Sequence, residues 1–161
     1  MVPDRAGFEA FYARHLPRVL RACTLVLLDR GEAEDVAAEA FARLWSHWGQ
    51  IHGEDHAGGY VFKTAVRLCS KRRRHAGREI GGVVPDRAVT SPDVGPSGSV
   101  TDALRRLPLR QRQSVVLRDW AGFETAEVAR ILGTKESTVR VHLARGRAAL
   151  RETLRVEETE R

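Results

Sequence analysis

The sequence predicts an all-α protein of two small helical domains joined by a flexible linker. Three observations carry this. Apolar residues recur at helical spacing in both halves, neither half shows the alternation of a strand, and a glycine-, proline- and serine-rich stretch separates them. A chain of 161 residues suits one ordinary domain or two small ones. With aromatics at 6% and charged residues at 30%, the cores must be small and built from Leu, Val and Ala.

The first helical pattern carries Phe8, Phe11, Tyr12, Val19, Leu20, Cys23, Val26 and Leu27, with Pro17 expected to kink it or to open a second segment. After a turn at Asp29-Arg30-Gly31 comes the clearest amphipathic stretch. Ala33, Val36, Ala37, Ala40, Phe41, Leu44, Trp45 and Trp48 fall on one face, and Glu32, Asp35, Glu39, Arg43 and Ser46 on the other. The acids in its first turn suit the positive end of the helix dipole. Trp45 and Trp48 read as core residues. A glycine-rich loop, residues 51–59, then leads into a third helix from about Tyr60. Val61, Ala65 and Leu68 form its apolar stripe, with Lys63, Arg67 and Arg74 opposite and Lys71, Arg72 and Arg73 alongside.

Residues 76–99 contain Gly77, Gly81, Gly82, Pro85, Pro92, Gly95, Pro96 and Gly98 and read as the linker, since they bury too little apolar surface to offset ordering. Residues 1–75 and 100–155 are the two domains, with 156–161 a short acidic tail. In the second domain Leu104 and Leu107 end a helix before Pro108, which is placed to open the next, the helix of Val115, Val116 and Trp120. Two helices follow, about Thr125–Leu132 and Lys135–Leu154.

That last pair has helix-turn-helix spacing. Ala129 allows close approach, Gly133 supplies a positive φ, and Val139 holds the second helix against the first. The second helix carries Lys135, Arg140, Arg145 and Arg147 against the single acid Glu136, the charge expected of a helix lying in a major groove. The plain alternative is a helical hairpin with a solvated basic face. The run Lys71–His75 is weak alone, but Lys63, Arg67 and Arg74 repeat at helical spacing, as phosphate contact would require.

Other function classes find little support. The net charge is +6, with 27 Lys and Arg against 21 Asp and Glu, which favours a nucleic acid or an anionic membrane surface as partner. No apolar run could span a bilayer and the N-terminus has no signal-peptide pattern, so the expected location is cytoplasmic. Cys23 and Cys69 are isolated and read as buried, reduced thiols. His52 and His56 share a metal-pair spacing, but the glycines around them predict a loop and no third ligand lies nearby; no metal or cofactor is expected. No nucleophile–base constellation is evident, so the chain is not expected to be an enzyme.

With these residues in place, the sequence resembles an extracytoplasmic-function sigma factor of bacterial RNA polymerase, a member of the sigma-70 family. Asp35-Val-Ala-Ala-Glu39-Ala-Phe41-Ala-Arg-Leu44-Trp45 resembles the region-two helix that docks on the β′ clamp helices. Leu107-Pro108-x-Arg110-Gln111-Arg112-x-x-Val115 resembles the start of region four, and the residues from Gly133 through Thr138-Val139-Arg140 to Arg145-Gly146-Arg147 resemble its recognition helix. The resemblance implies no cofactor, a monomer when free, and contacts with the β′ clamp helices and β flap of core polymerase, promoter DNA and an anti-sigma factor.

The same resemblance distributes the roles. The core-docking face would comprise Asp35, Ala38, Glu39, Ala42 and Arg43. The minus-ten element would meet His52, Glu54, Asp55 and His56 of the loop, which receives an everted base, together with Lys63, Arg67, Lys71 and Arg74. The minus-thirty-five element would meet Lys135, Ser137, Thr138, Arg140, Val141, Ala144, Arg145 and Arg147, with Arg118 on a phosphate. Three departures from the family pattern point to an atypical promoter or altered docking: Ala38 stands for a usual Gln, Arg67 for a common Asn and Val141 for a frequent Ser. Glu124 and Lys135 stand at usual capping positions and predict weakly capped helix starts.

Two further readings compete. The chain could be a helix-turn-helix regulator that never joins polymerase, or a basic nucleic-acid or membrane-surface module without specificity. Stable binding to core polymerase separates the first from the sigma reading, and preference for promoter over random DNA the second.

Overall fold

A computed structural model of the protein describes residues 4–79 and 98–159, all helical apart from short turns. Most of the predicted linker lies outside the described residues. Helix α1 spans Arg5–Leu27 and runs on through Pro17 as one element. Its N-cap is Asp4, whose carboxylate accepts the Gly7 N–H at 3.0 Å. Leu28 ends it in the left-handed conformation, φ 57°. Asp29 then caps α2, Arg30–His47, accepting the Glu32 N–H at 3.0 Å. The expected three-residue turn is thus shorter, and Arg30 and Gly31 are already helical.

A 3₁₀ turn, Trp48–Gln50, leads to α3, Glu54–Glu79. This corrects the predicted loop: α3 starts about six residues before Tyr60, with Gly58 and Gly59 inside it. Glu54 and Asp55 favour the early start, being acids in the first turn at the positive end of the dipole. Gly53, φ 89°, makes the turn that precedes them. The far end of α3 also outlasts the predicted domain boundary by four residues.

α1, α2 and α3 enclose a core of Phe11, Val19, Val36, Phe41, Leu44, Val61 and Phe62, among others. Of the two tryptophans expected in it, Trp48 packs against this core and Trp45 does not. Trp45 is 37% exposed and packs edge-on against Phe8, whereas Trp48 is half-buried and donates its Nε1–H to the Asp4 carbonyl at 3.0 Å. Cys23 and Cys69 are both buried in this core.

The second domain comprises α4 (Gly98–Arg105), α5 (Leu109–Val115), a π-helical turn (Val116–Trp120), α6 (Thr125–Leu132) and α7 (Glu136–Thr159). α7 begins one residue later and reaches five residues further than predicted, so the tail is largely helical. Gly133 ends α6 with φ 66°. A Cβ there would touch nothing within 4 Å, so the glycine serves the backbone angle and not space. Gly146 is the opposite case: a Cβ would lie 2.9 Å from Val115 Cγ2, where α7 crosses α5. The start of α6 is better capped than Glu124 alone suggests, because the Glu127 carboxylate reaches back to the Glu124 N–H at 3.0 Å.

The two domains share one continuous core. Every residue from Ala22 to Leu28 is buried, because the end of α1 lies between its own domain and the second. Arg112, fully buried on α5, donates to the carbonyls of Leu104 (2.9 Å), Arg105 (3.1 Å) and Leu107 (3.2 Å), and across the interface to Val26 (2.8 Å). Arg18 donates to the Ala121 carbonyl, with its guanidinium carbon 5.4 Å from the Phe62 ring centre and 5.1 Å from that of Phe123. Gln113, also fully buried, donates to the Ser70 hydroxyl at 2.8 Å. Sequence reasoning named none of these as interdomain contacts.

Candidate nucleic-acid and polymerase interfaces

The second helix of the helix-turn-helix presents an open face. Val139 and Leu143 bury its inner side, which turns Lys135, Ser137, Arg140, Val141, Ala144 and Arg145 outward, all exposed; Thr138 is half-buried beside them. Val141 is 46% exposed, a large apolar side chain without cover. Arg140 has only a long, exposed pairing with Glu136, 3.6 Å, worth little and easily exchanged for a phosphate or base.

Two residues of the predicted set are more engaged. Arg147 holds Asp119 in a two-pronged bond, Nε to Oδ2 at 3.0 Å and Nη2 to Oδ1 at 2.6 Å. This hydrogen bonding raises the Arg147 pKa and ties α7 to the π-helical turn. Arg118, half-buried, lies 3.9 Å from Glu124. Both belong to the scaffold of the face as much as to its surface.

In the first domain the expected docking residues Asp35, Ala38, Ala42 and Arg43 are exposed on α2, and Glu39, half-buried, pairs with Arg43 at 2.7 Å. Asp35 lies 3.9 Å from Arg72. Ala38 and Ala42 line a groove of about 520 Å³ between α1 and α2, whose apolar walls are Phe8, Tyr12, Phe41 and Trp45. The exposed tryptophan therefore sets an apolar surface beside the expected polar docking residues. Its exposure is the signal that residue type alone did not give.

The expected minus-ten residues divide by position. His52 and His56 are exposed at the start of α3, and the His56 Nδ1 approaches the His52 carbonyl at 2.9 Å. Glu54 is tied to α1: it accepts from His15 Nε2 at 2.9 Å and from Arg14. The His15 bond first, then that from Arg14, holds the Glu54 carboxyl below the usual glutamate range. Glu54 thus anchors the turn. Asp55, His56, Gly59, Tyr60 and Lys63 border a cleft of about 520 Å³ whose other wall is Phe123, Glu127, Arg130 and Ile131 of the second domain. Arg67, Lys71 and Arg74, all exposed, border a second cleft against the same domain. The basic face of α3 and the basic face of α7 are therefore in different situations: the first is partly roofed, the second open.

The Cys69 thiol has the Cys23 thiol as its neighbour, and this contact and then burial push its pKa well up. So enclosed, the Cys69 thiol is a poor nucleophile or ligand. Among the described residues no cluster of three His, Cys, Asp or Glu is placed to hold a metal, and no helix is long and apolar enough to cross a membrane.

Comparison with known proteins matches both halves of the chain to one family. The family model for sigma-70 region 2 matches residues 11–79, and that for sigma-70 region 4 matches residues 97–150. The chain is 30% identical to the ECF RNA polymerase sigma factor SigM of Mycobacterium tuberculosis over 151 residues, 91% of this chain and 76% of that protein. It is 26% identical to the ECF RNA polymerase sigma factor SigW of Bacillus subtilis, covering 94% and 91%. The fold is that of the sigma factor RpoE crystallised with the anti-sigma factor NepR from Bartonella quintana, with TM-score 0.77, 24% identity and 93% of this chain covered.

Proposed function

Because the chain belongs to the extracytoplasmic-function sigma factors of bacterial RNA polymerase, we propose that it selects promoters through two DNA surfaces and one docking face. Region 4 reads the minus-thirty-five element with the open face of α7. Arg140 and Arg145 reach base edges, Val141 and Ala144 offer apolar contact suited to a thymine methyl, and Lys135 and Ser137 meet the backbone. Region 2 holds the minus-ten strand along Lys63, Arg67, Lys71 and Arg74, near His52, Asp55 and His56. The α2 face from Asp35 to Arg43, continued by the Ala38–Trp45 groove, docks on core polymerase in the cytoplasm. The protein supplies specificity and no catalysis of its own.

The observation that carries this reading is the uncovered basic face on α7, in the same molecule as an exposed docking helix. Promoter binding by region 2 also requires release from region 4, since the second domain walls the clefts beside Lys63 and Arg67. An anti-sigma partner, such as those crystallised with the structural neighbours, would act by holding the closed form.

Run-off transcription tests the proposal, with purified core polymerase and a promoter library. Transcripts sharing two upstream elements are expected, and Arg140→Ala should weaken discrimination at one minus-thirty-five position by about 1–3 kcal/mol. No transcript and no stable core complex would instead favour a helix-turn-helix regulator acting alone.

A further inference from the structure

The cleft between α3 and the turn after α6 gathers cations from both regions, and the minus-ten role given to Arg67, Lys71 and Arg74 does not explain why Arg110 of region 4 joins them. Its volume is about 400 Å³, within the range of small-ligand sites. Arg43, Arg67, Lys71, Arg74 and Arg110 line it, and no acid does. Among the described residues, Arg67, Lys71 and Arg74 have no ion pair. Arg110 comes from region 4 and is steered into place by long bonds to the Gln113 side chain (3.3 Å) and the Leu132 carbonyl (3.4 Å). Val66, Leu68, Ile131 and Leu132 supply apolar surface beside the cations.

Closing the two regions therefore brings an arginine of region 4 up to three unpaired cations of region 2. Like charges so gathered repel, more strongly in a cleft than in open water. An anion bridging them would remove that repulsion, and guanidinium groups suit phosphate oxygens. The space is too small for a nucleic-acid duplex.

We infer that this interdomain cleft binds a small polyphosphate anion, free or carried by a nucleoside. Phosphates sit among Arg67, Lys71, Arg74 and Arg110, and a base, where present, lies on Ile131 and Leu132. The ligand touches both regions only in the closed form, so it stabilises that form by mass action. Its effect on promoters rests on the function proposed above, because the same cations are assigned to the minus-ten strand; the binding itself rests on the cleft alone.

Calorimetric titration of the full chain with sodium tripolyphosphate, and separately with ATP, at fixed ionic strength and without divalent cations, tests the site. One saturable equivalent is expected. Arg110→Ala and Lys71→Gln should each weaken it about tenfold, whereas Arg151→Ala, exposed elsewhere on α7, should not. Tighter binding of ATP identifies a nucleoside polyphosphate, and equal or weaker binding an inorganic one. Thermal melts of each variant show that it folds. Non-saturating heats, or equal losses in all three variants, would overturn the site. Run-off transcription on the same preparation keeps the two ideas apart: transcription without anion binding removes the site and leaves the sigma reading, and the reverse result does the opposite.

Discussion

Arg112 shows how much a single side chain can settle. A guanidinium with no solvent exposure keeps its charge only if its N–H groups are met, and four carbonyls from α4, the following turn and α1 meet them. Arg112→Ala takes its donor from each of those carbonyls, of which that of Leu104 keeps the Leu107 N–H at 3.1 Å. We expect it to destabilise the protein by about 3 kcal/mol in urea unfolding; a loss under about 1 kcal/mol would show that water replaces the guanidinium. Glu54 gives a prediction in pH. Its carboxyl is held below the usual glutamate range by His15 and Arg14. The unfolded chain therefore takes up the proton first on acidification. The stability from this anchor is present above an unfolded pKa of about 4.3 and is lost as pH falls through the lower folded value. Carboxyl NMR titration should find Glu54 below its ordinary value in the native protein and back at that value in a His15→Ala, Arg14→Ala variant.

At the scale of elements, two glycines of the second domain separate backbone angle from space. Gly133→Ala meets no atom but must hold φ near 66°, which costs about 1 kcal/mol. Gly146→Ala gains helix propensity of about 1 kcal/mol, yet its Cβ would lie 2.9 Å from Val115 Cγ2, too close without a shift. Overpacking at a crossing helix costs about 1–3 kcal/mol, so a net loss is expected in chemical denaturation, and a stabilised variant would show that α5 and α7 can move apart. The helix-turn-helix was readable in advance because its constraints are local: Ala129, Gly133 and Val139 lie ten residues apart in one supersecondary unit. The start of α3 was not. Glycines at 53, 58 and 59 argued for a loop, but only the first has a positive φ. The other two are held helical by the packing of Ala57 and Val61 and by the Glu54 anchor to α1, contacts between residues about forty positions apart.

At the scale of the whole molecule, the described arrangement is closed. Arg18 sits over both Phe62 of region 2 and Phe123 of region 4, whose rings meet edge-on with centres 4.8 Å apart, and also meets the Ala121 carbonyl. Arg18→Glu reverses the charge over both ring faces and removes that bond. The expected result is a radius of gyration above the roughly 15 Å of a compact chain of this length in small-angle scattering, together with stronger binding of single-stranded minus-ten DNA. Unchanged scattering would mean that the shared apolar core holds the regions together without Arg18.

What the sequence by itself determined is whatever depends on near neighbours: helical periodicity, two domains about a glycine- and proline-rich stretch, the turn at Gly133, and the family to which the chain belongs. The exposed face of α7 followed as well, since burying Val139 and Leu143 leaves Arg140, Val141 and Arg145 nowhere to point but outward. Only the tertiary structure decided which surfaces are covered. The unbroken apolar run Leu25-Val26-Leu27-Leu28 was a hint that the end of α1 is buried on all sides. It could not say by what. Nor could residue type place Trp45 on a groove wall, make Arg112 an interior residue, or set Arg110 against Arg67, Lys71 and Arg74. Those outcomes depend on how two separately patterned domains meet, and periodicity within a helix carries no information about its partner across an interface.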